Sequence, residues 1–178
     1  MLIIFFLHWL LSFQAPTFGQ FIDLRDGHRY RTIRIGDQEW LADNLAYRAD
    51  SSYCYDDHPF PCRRYGRLYI WSSAQNACPN GWRLPTQSEW NTLYRLFPNG
   101  IDAYKALTKN GTAGLEVKLA GWRSSNENYL HAGERAYFWS AEEVSDSEAR
   151  CYRFDLKDQI MSSHNTTKNQ GFSCRCIR

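Results

Sequence analysis

The first thirteen residues contain no Asp, Glu, Lys or Arg. Their apolar run, Leu2–Leu7 continued by Trp9–Leu11, reaches only about 20 Å as a helix, short of the ~20 residues that a bilayer crossing takes. An uncharged run of this length predicts a cleaved secretory signal and no stable membrane insertion. The small residues of Thr17-Phe18-Gly19 place the cut before Gln20, so residues 1–19 are expected to be signal peptide and residues 20–178 one domain. No cysteine lies near that cut, so a lipoprotein anchor is not expected. Runs of like charge are also missing. The net charge of +2 is interspersed along the chain, so neither nucleic acid nor an anionic membrane is an implied partner. Internal repeats, low-complexity tracts and linkers are lacking as well, which leaves no sign of a second unit.

The chain has no Cys-x-x-Cys pair and no closely spaced histidines, so a structural zinc site is not expected. His28, His58, His131 and His164 stand singly in turn or loop contexts and form no catalytic or metal-binding constellation. The acidic loops Asp56-Asp57-His58 and Glu142-Glu143 with Asp146 and Glu148 read as solvated faces, so no metal or cofactor is expected. The six cysteines, Cys54, Cys62, Cys78, Cys151, Cys174 and Cys176, all follow the leader. In an exported chain an even number reads as a disulfide framework, with fifteen pairings open. Cys174-x-Cys176 is too tight to pair with itself, because a bridge needs Cα atoms about 4.4–6.8 Å apart and suitably aimed side chains.

Aromatic residues are plentiful, at 16% with seven Trp and eleven Tyr, and such rings serve both a small core and a binding face. Arg29–Ile35 alternates and is rich in β-formers, and Gly36-Asp37 turns it into Gln38–Leu41, which together predict an N-terminal β-hairpin. Asp50–Arg64 lacks periodicity and reads as a loop that a Cys54–Cys62 bridge closes. Tyr65–Trp71 reads as a strand and Ser72–Cys78 as a helical turn or two. Thr86 with Glu89 forms a capping-box pair, and Trp90, Leu93, Tyr94 and Phe97 then share one helical face until Pro98-Asn99-Gly100. Ile101–Leu107 reads as a second helix. After a mostly polar loop to Glu134, Ala136–Ser140, Arg150–Leu156 and Gly171–Ile177 read as strands. The fold class is α+β, with two or three helices packed on small antiparallel sheets. Asn110-Gly-Thr112 and Asn165-Thr-Thr167 match the N-glycosylation pattern.

The stretch Trp71–Leu93, with Ala74, Cys78, Gly81-Trp82 and Leu84-Pro85-Thr86 before Glu89-Trp90, resembles the two-helix core of the C-type-lectin-like fold. Arg83-Leu84-Pro85-Thr86 followed by Glu89-Trp90 is also similar to the formylglycine-generating-enzyme branch. An ordered set extends the likeness over residues 21–178: Trp40-Leu41-Ala42, Asn44-Leu45, Tyr65-Gly66-Arg67-Leu68-Tyr69, Cys78-Pro79-Asn80-Gly81-Trp82, Phe138-Trp139-Ser140, Gly171-Phe172-Ser173 and Arg175-Cys176. In that order they resemble the Fibrobacter succinogenes major paralogous domain family.

The resemblance implies a C-type-lectin-like domain with two nested bridges, Cys78–Cys176 and Cys151–Cys174, beside the local Cys54–Cys62 loop. It implies no calcium-dependent sugar site, since the Glu-Pro-Asn, Gln-Pro-Asp and Trp-Asn-Asp strings of sugar-binding lectins are missing. With all six cysteines placed in bridges, no thiol remains for formylglycine-type catalysis, and no catalytic residue is expected. Trp71, Trp82, Trp90 and Trp139 fall at predicted elements and read as core. Trp122, Tyr129, His131 and Arg135 fall in the variable loop region of the lectin-like fold and are the candidate ligand-binding residues. The resulting expectation is a secreted or surface-bound, non-catalytic binding module for a glycan or a protein. The alternatives are a formylglycine-generating-type enzyme, or its remnant, and a purely structural surface component.

Overall fold

A computed structural model describes residues 16–178; the apolar leader Met1–Phe13 lies outside the described residues. Strands β1 (Thr17–Ile22), β2 (Arg29–Ile35) and β3 (Gln38–Leu41) form an antiparallel meander. The predicted hairpin is its β2–β3 half. β1 starts three residues before Gln20 and pairs Thr17 with Arg34, so the expected cut falls inside this strand.

A short β4 (Ser52–Tyr53) leads into α1 (Pro59–Tyr65), a helix in the segment expected to be loop. Local chemistry explains it. Pro59 pre-sets the first turn, the His58 ring accepts the Phe60 amide hydrogen, and the Cys54–Cys62 bridge ties the helix to the strand before it. Then come β5 (Leu68–Tyr69), α2 (Trp71–Ala74), α3 (Gln87–Tyr94) and α4 (Gly100–Leu107). α3 has the predicted capping box, with Thr86 and Glu89 bonded to each other's backbone N–H. Asn99 caps α4 by accepting from the amides of Ile101 and Asp102.

The remaining strands are β6 (Ala120–Arg123), β7 (Tyr129–Ala132), β8 (Arg135–Glu143), β9 (Glu148–Asp155), β10 (Ile160–Thr167) and β11 (Phe172–Ser173). The main path of the second sheet runs β10-β9-β8-β11-β5-β4, with β6 joined to β7 and to β8. The architecture is thus α+β, with more residues in strands than in helices. β10 was not expected, because Ser162, Ser163, His164 and Asn165 hide the strand pattern at a polar sheet edge.

One face of β8, β9 and β10 is the core face, carrying Ala136, Phe138, Tyr152, Phe154 and Met161, all buried. Trp90 of α3 stacks on Tyr152 at 4.9 Å and meets Trp40 of β3 at the same distance, joining the two sheets through one helix. Trp82, Trp90 and Trp139 are buried as expected of core residues, whereas Trp71 is only half-buried. Rings of this size supply much of the apolar burial available to a domain this small.

The C-terminal segment closes the structure. Its carbonyls at Cys176 and Cys174 accept from Leu41 and Leu45, and Ile177 exchanges both backbone bonds with Arg83. Cys78–Cys176 locks this arrangement across 98 positions of sequence. Between the two cysteines, Arg175 is fully buried. Its Nη1 donates to the carbonyls of Leu41 and Leu115, each at 3.2 Å, and its Nη2 donates to Asn44 Oδ1 at 2.6 Å. Burial pushes its guanidinium down to about 10, which still leaves it charged at neutral pH.

The expected Cys151–Cys174 bridge is corrected: both residues are free thiols and both are buried. Topology is the reason. Cys151 lies across from Trp139 of β8, and Ser173, one residue before Cys174, pairs with Phe138 on the other side of β8. An intervening strand sets β9 and β11 about 9–10 Å apart, beyond the ~4.4–6.8 Å that a disulfide spans.

Candidate functional site

The segment expected to be a polar loop folds instead as β6 and β7, held against β8 by a parallel pairing of Gly121 with Ala136. Gly121 (φ 68°) and His131 (φ 59°) are both left-handed. A Cβ at 121 would strike the Leu130 carbonyl and the Tyr55 ring, so only glycine permits this approach. A left-handed histidine is uncommon, and such outliers concentrate where a side chain has been aimed.

The consequence is a ladder of rings running from solvent into the core. The exposed His131 ring lies flat on Trp122, with centroids 5.0 Å apart and planes within 9°. Trp122 meets Tyr137 edge-on at 4.9 Å, Tyr137 stacks on Phe172 at 4.8 Å, and Phe172 packs on Trp139 at 4.5 Å. Trp122 and Tyr137 are half-buried, so the outer part of the ladder is accessible and its foot is anchored.

Cations flank it. Strand alternation puts Arg135, Tyr137 and Trp139 on one face of β8. Arg153 of β9 lies directly across from Tyr137, and Ser162 of β10 across from Arg153. The Arg153 Nε is buried without a hydrogen-bond partner, and no carboxylate among the described residues pairs with the guanidinium. His164 shares a 2.9 Å hydrogen bond with Ser162. Burial and then the nearby Arg153 and Arg150 push its imidazole below the ordinary histidine value. Two carboxylates of these strands and turns are engaged, Glu134 with His131 Nδ1 and the buried Asp155 with Arg135 Nε, each at 2.7 Å.

Of the four expected ligand residues, the structure brings Trp122 and His131 into direct contact. Arg135 flanks them but is committed to Asp155. Tyr129 is turned to the other side of β7, where its hydroxyl donates to Asp57 and its ring packs on Tyr55 at 5.4 Å. There Arg123 lies 3.9 Å over Tyr53 and pairs with Glu127, so Tyr129 braces the β6–β7 hairpin against the 3₁₀ turn Tyr55–Asp57. Tyr137, Arg153 and His164 are the residues that sequence reading missed. The i, i+2 spacing of Arg135, Tyr137 and Trp139 was the available signal, but it does not reveal which strands lie alongside.

The thiols are placed against reactivity. Burial pushes Cys151 up to about 12 and Cys174 well above the ordinary thiol value, the reverse of an activated thiolate. Among the described residues no group of three or more His, Cys, Asp or Glu is arranged to hold a metal ion. Chemically the face offers flat apolar rings with hydrogen-bond donors beside them, a combination suited to binding.

No curated protein and no solved structure matches the chain. The model of the Fibrobacter succinogenes major domain matches residues 33–178, which contain the ring ladder, Arg153, both bridges and the buried Arg175. The chain belongs to the Fibrobacter succinogenes major domain family.

Proposed function

We propose that this protein is an exported, non-catalytic binding module that holds a glycan at a cell surface on the His131–Trp122–Tyr137 ladder. The observation that carries the reading is the accessible ring stack beside an Arg153 whose Nε has no partner among the described residues. A sugar ring presents an apolar face to Trp or Tyr and hydroxyls to neighbouring donors, here Arg153, Ser162 and His164. Two disulfides, and the lack among the described residues of a helix long and apolar enough to cross a membrane, are compatible with an extracytoplasmic location. The Cys78–Cys176 tie between the helical region and the C-terminal segment supports kinship with the C-type-lectin-like fold. The two free thiols, buried and held protonated, count against the formylglycine-generating type of enzyme.

A glycan array followed by calorimetry tests the reading. A neutral or acidic oligosaccharide should bind, and Trp122→Ala and Tyr137→Ala should each weaken it at least tenfold, while Tyr137→Phe keeps the stacking. Binding that survives both alanine variants would refute the site. A null array, with a surface protein captured through Trp122, would replace the glycan by a protein ligand.

A further inference from the structure

Beyond the β7–β8 turn at Gly133, α1 and α4 border a cleft of about 830 Å³ whose lining includes Tyr65, Tyr104, Val117 and Leu119. That volume lies within the ~300–1,000 Å³ of organic ligand sites, more than a single ion needs. Five cations line it, Arg63 and Arg64 from α1, Lys105 from α4, and Lys109 and Lys118 beyond it, against a single carboxylate, Glu116. Glu116 is already held by Arg31 at 3.0 Å, and Lys118 faces Asp43 at 3.5 Å, so that group of four charges is balanced. Arg63, Arg64, Lys105 and Lys109 have no carboxylate partner among the described residues. Four uncompensated cations around one cleft exceed the net charge of the whole chain, +2. A low-dielectric cleft lined by one sign of charge focuses its field on an incoming anion.

We infer that this cleft is a binding site for an anionic polysaccharide, a chain of sugars bearing carboxylate or sulfate groups. The tyrosine and aliphatic lining favours a ligand with ring faces over a simple inorganic anion. Cations contributed by two separate helices, α1 and α4, favour a ligand with repeated charges. Arg63 and Arg64 offer planar guanidiniums that engage carboxylates or sulfates bidentately, while Lys105 and Lys109 act as point charges. The Cys54–Cys62 bridge fixes the helix that carries the two arginines.

The test is calorimetry of the full protein with oligogalacturonate, a sulfated dextran oligomer and an uncharged dextran oligomer. Arg63→Glu/Arg64→Glu and Lys105→Glu/Lys109→Glu are compared with Arg29→Glu/Arg48→Glu, an equal change of charge at exposed sites outside the cleft. At least one anionic oligomer should bind and the uncharged one should not. Each cleft variant should weaken binding at least tenfold, the control variant by less than threefold, and added salt should weaken it throughout. Unchanged melting temperatures show that the variants are folded. The arms also distinguish carboxylate from sulfate recognition. Failure of both anionic oligomers to bind, or equal losses in the control and cleft variants, would overturn the assignment. Tighter binding to phosphatidylserine-containing vesicles than to either oligomer would overturn it in favour of a lipid surface.

Discussion

Deleting the two disulfides separately measures how much the long closure contributes. Cys78–Cys176 spans 98 positions and Cys54–Cys62 spans 8. In the chain-entropy account, a bridge stabilises by restricting the unfolded chain, roughly as the logarithm of loop length. That gives about 4.7 kcal/mol for the long bridge and about 2.5 kcal/mol for the short one. Cys78→Ala/Cys176→Ala and Cys54→Ala/Cys62→Ala remove each pair whole and leave no orphan thiol. Cys176 is fully buried, so its truncation adds a small packing loss on top of the entropic one. Urea unfolding followed by tryptophan fluorescence, without reductant and near pH ~6 to suppress thiol exchange, reads both losses. With a urea slope of about 2 kcal/mol/M, the long-bridge variant should have its midpoint about 1 M below that of the short-bridge variant. Equal losses, or a larger loss from the short loop, would refute the reasoning and imply that the unfolded chain already keeps its ends together.

Three further outcomes are expected. A thiol reagent should find almost no reactive cysteine in the native protein and two, Cys151 and Cys174, after unfolding without reductant; none in the unfolded chain would restore the third bridge. Burial works against the Asp43 carboxylate, yet hydrogen bonds from the Arg31 side chain and backbone hold it down at about 2. A carboxyl lowered on folding stabilises above its unfolded value of ~3.9 and loses that contribution as the pH falls towards ~2, so roughly 1–2 kcal/mol should vanish over that window. Urea midpoints measured across it should fall more steeply in the native protein than in Asp43→Asn, which keeps the other lowered carboxylates, Asp23, Glu39, Glu89 and Asp155. Replacing Arg175 by Met leaves the carbonyls of Leu41 and Leu115 and the Asn44 amide oxygen without their donor, and should cost about 3 kcal/mol or more in the same urea assay. A change below 1 kcal/mol would show the buried guanidinium to be dispensable.

Local chemistry was legible where it acts within a few residues. The Thr86–Glu89 capping box, the Gly36-Asp37 turn and the alternation of Arg29–Ile35 each specify structure through neighbours, and the elements appear where those signals place them. Elements that exist because another strand lies alongside were not legible. β6 carries weak strand character in Ala120-Gly121 and forms through pairing with β8 and β7, and β7 forms through pairing with β6. β10 is polar beyond Ile160 and Met161 and is a strand because β9 offers it eight paired positions. The candidate site divides the same way: Trp122 and His131 were found as aromatic residues in a late segment, but Tyr137 and Arg153 join them only across the sheet.

By itself the sequence determined the α+β class, the capped helix and the aromatic core, because these follow from local spacing and composition, and its ordered motifs carried the resemblance to the family. Tertiary structure decided which cysteines meet. It interposed β8 between Cys151 and Cys174 and so left two thiols where a bridge was expected. It also decided where the charge goes. Arg63, Arg64, Lys105 and Lys109 are scattered along the chain with no run to mark them, and become one cationic cleft only when α1 and α4 are brought to its edges. Electrostatic fields depend on distance through space, which sequence order does not record.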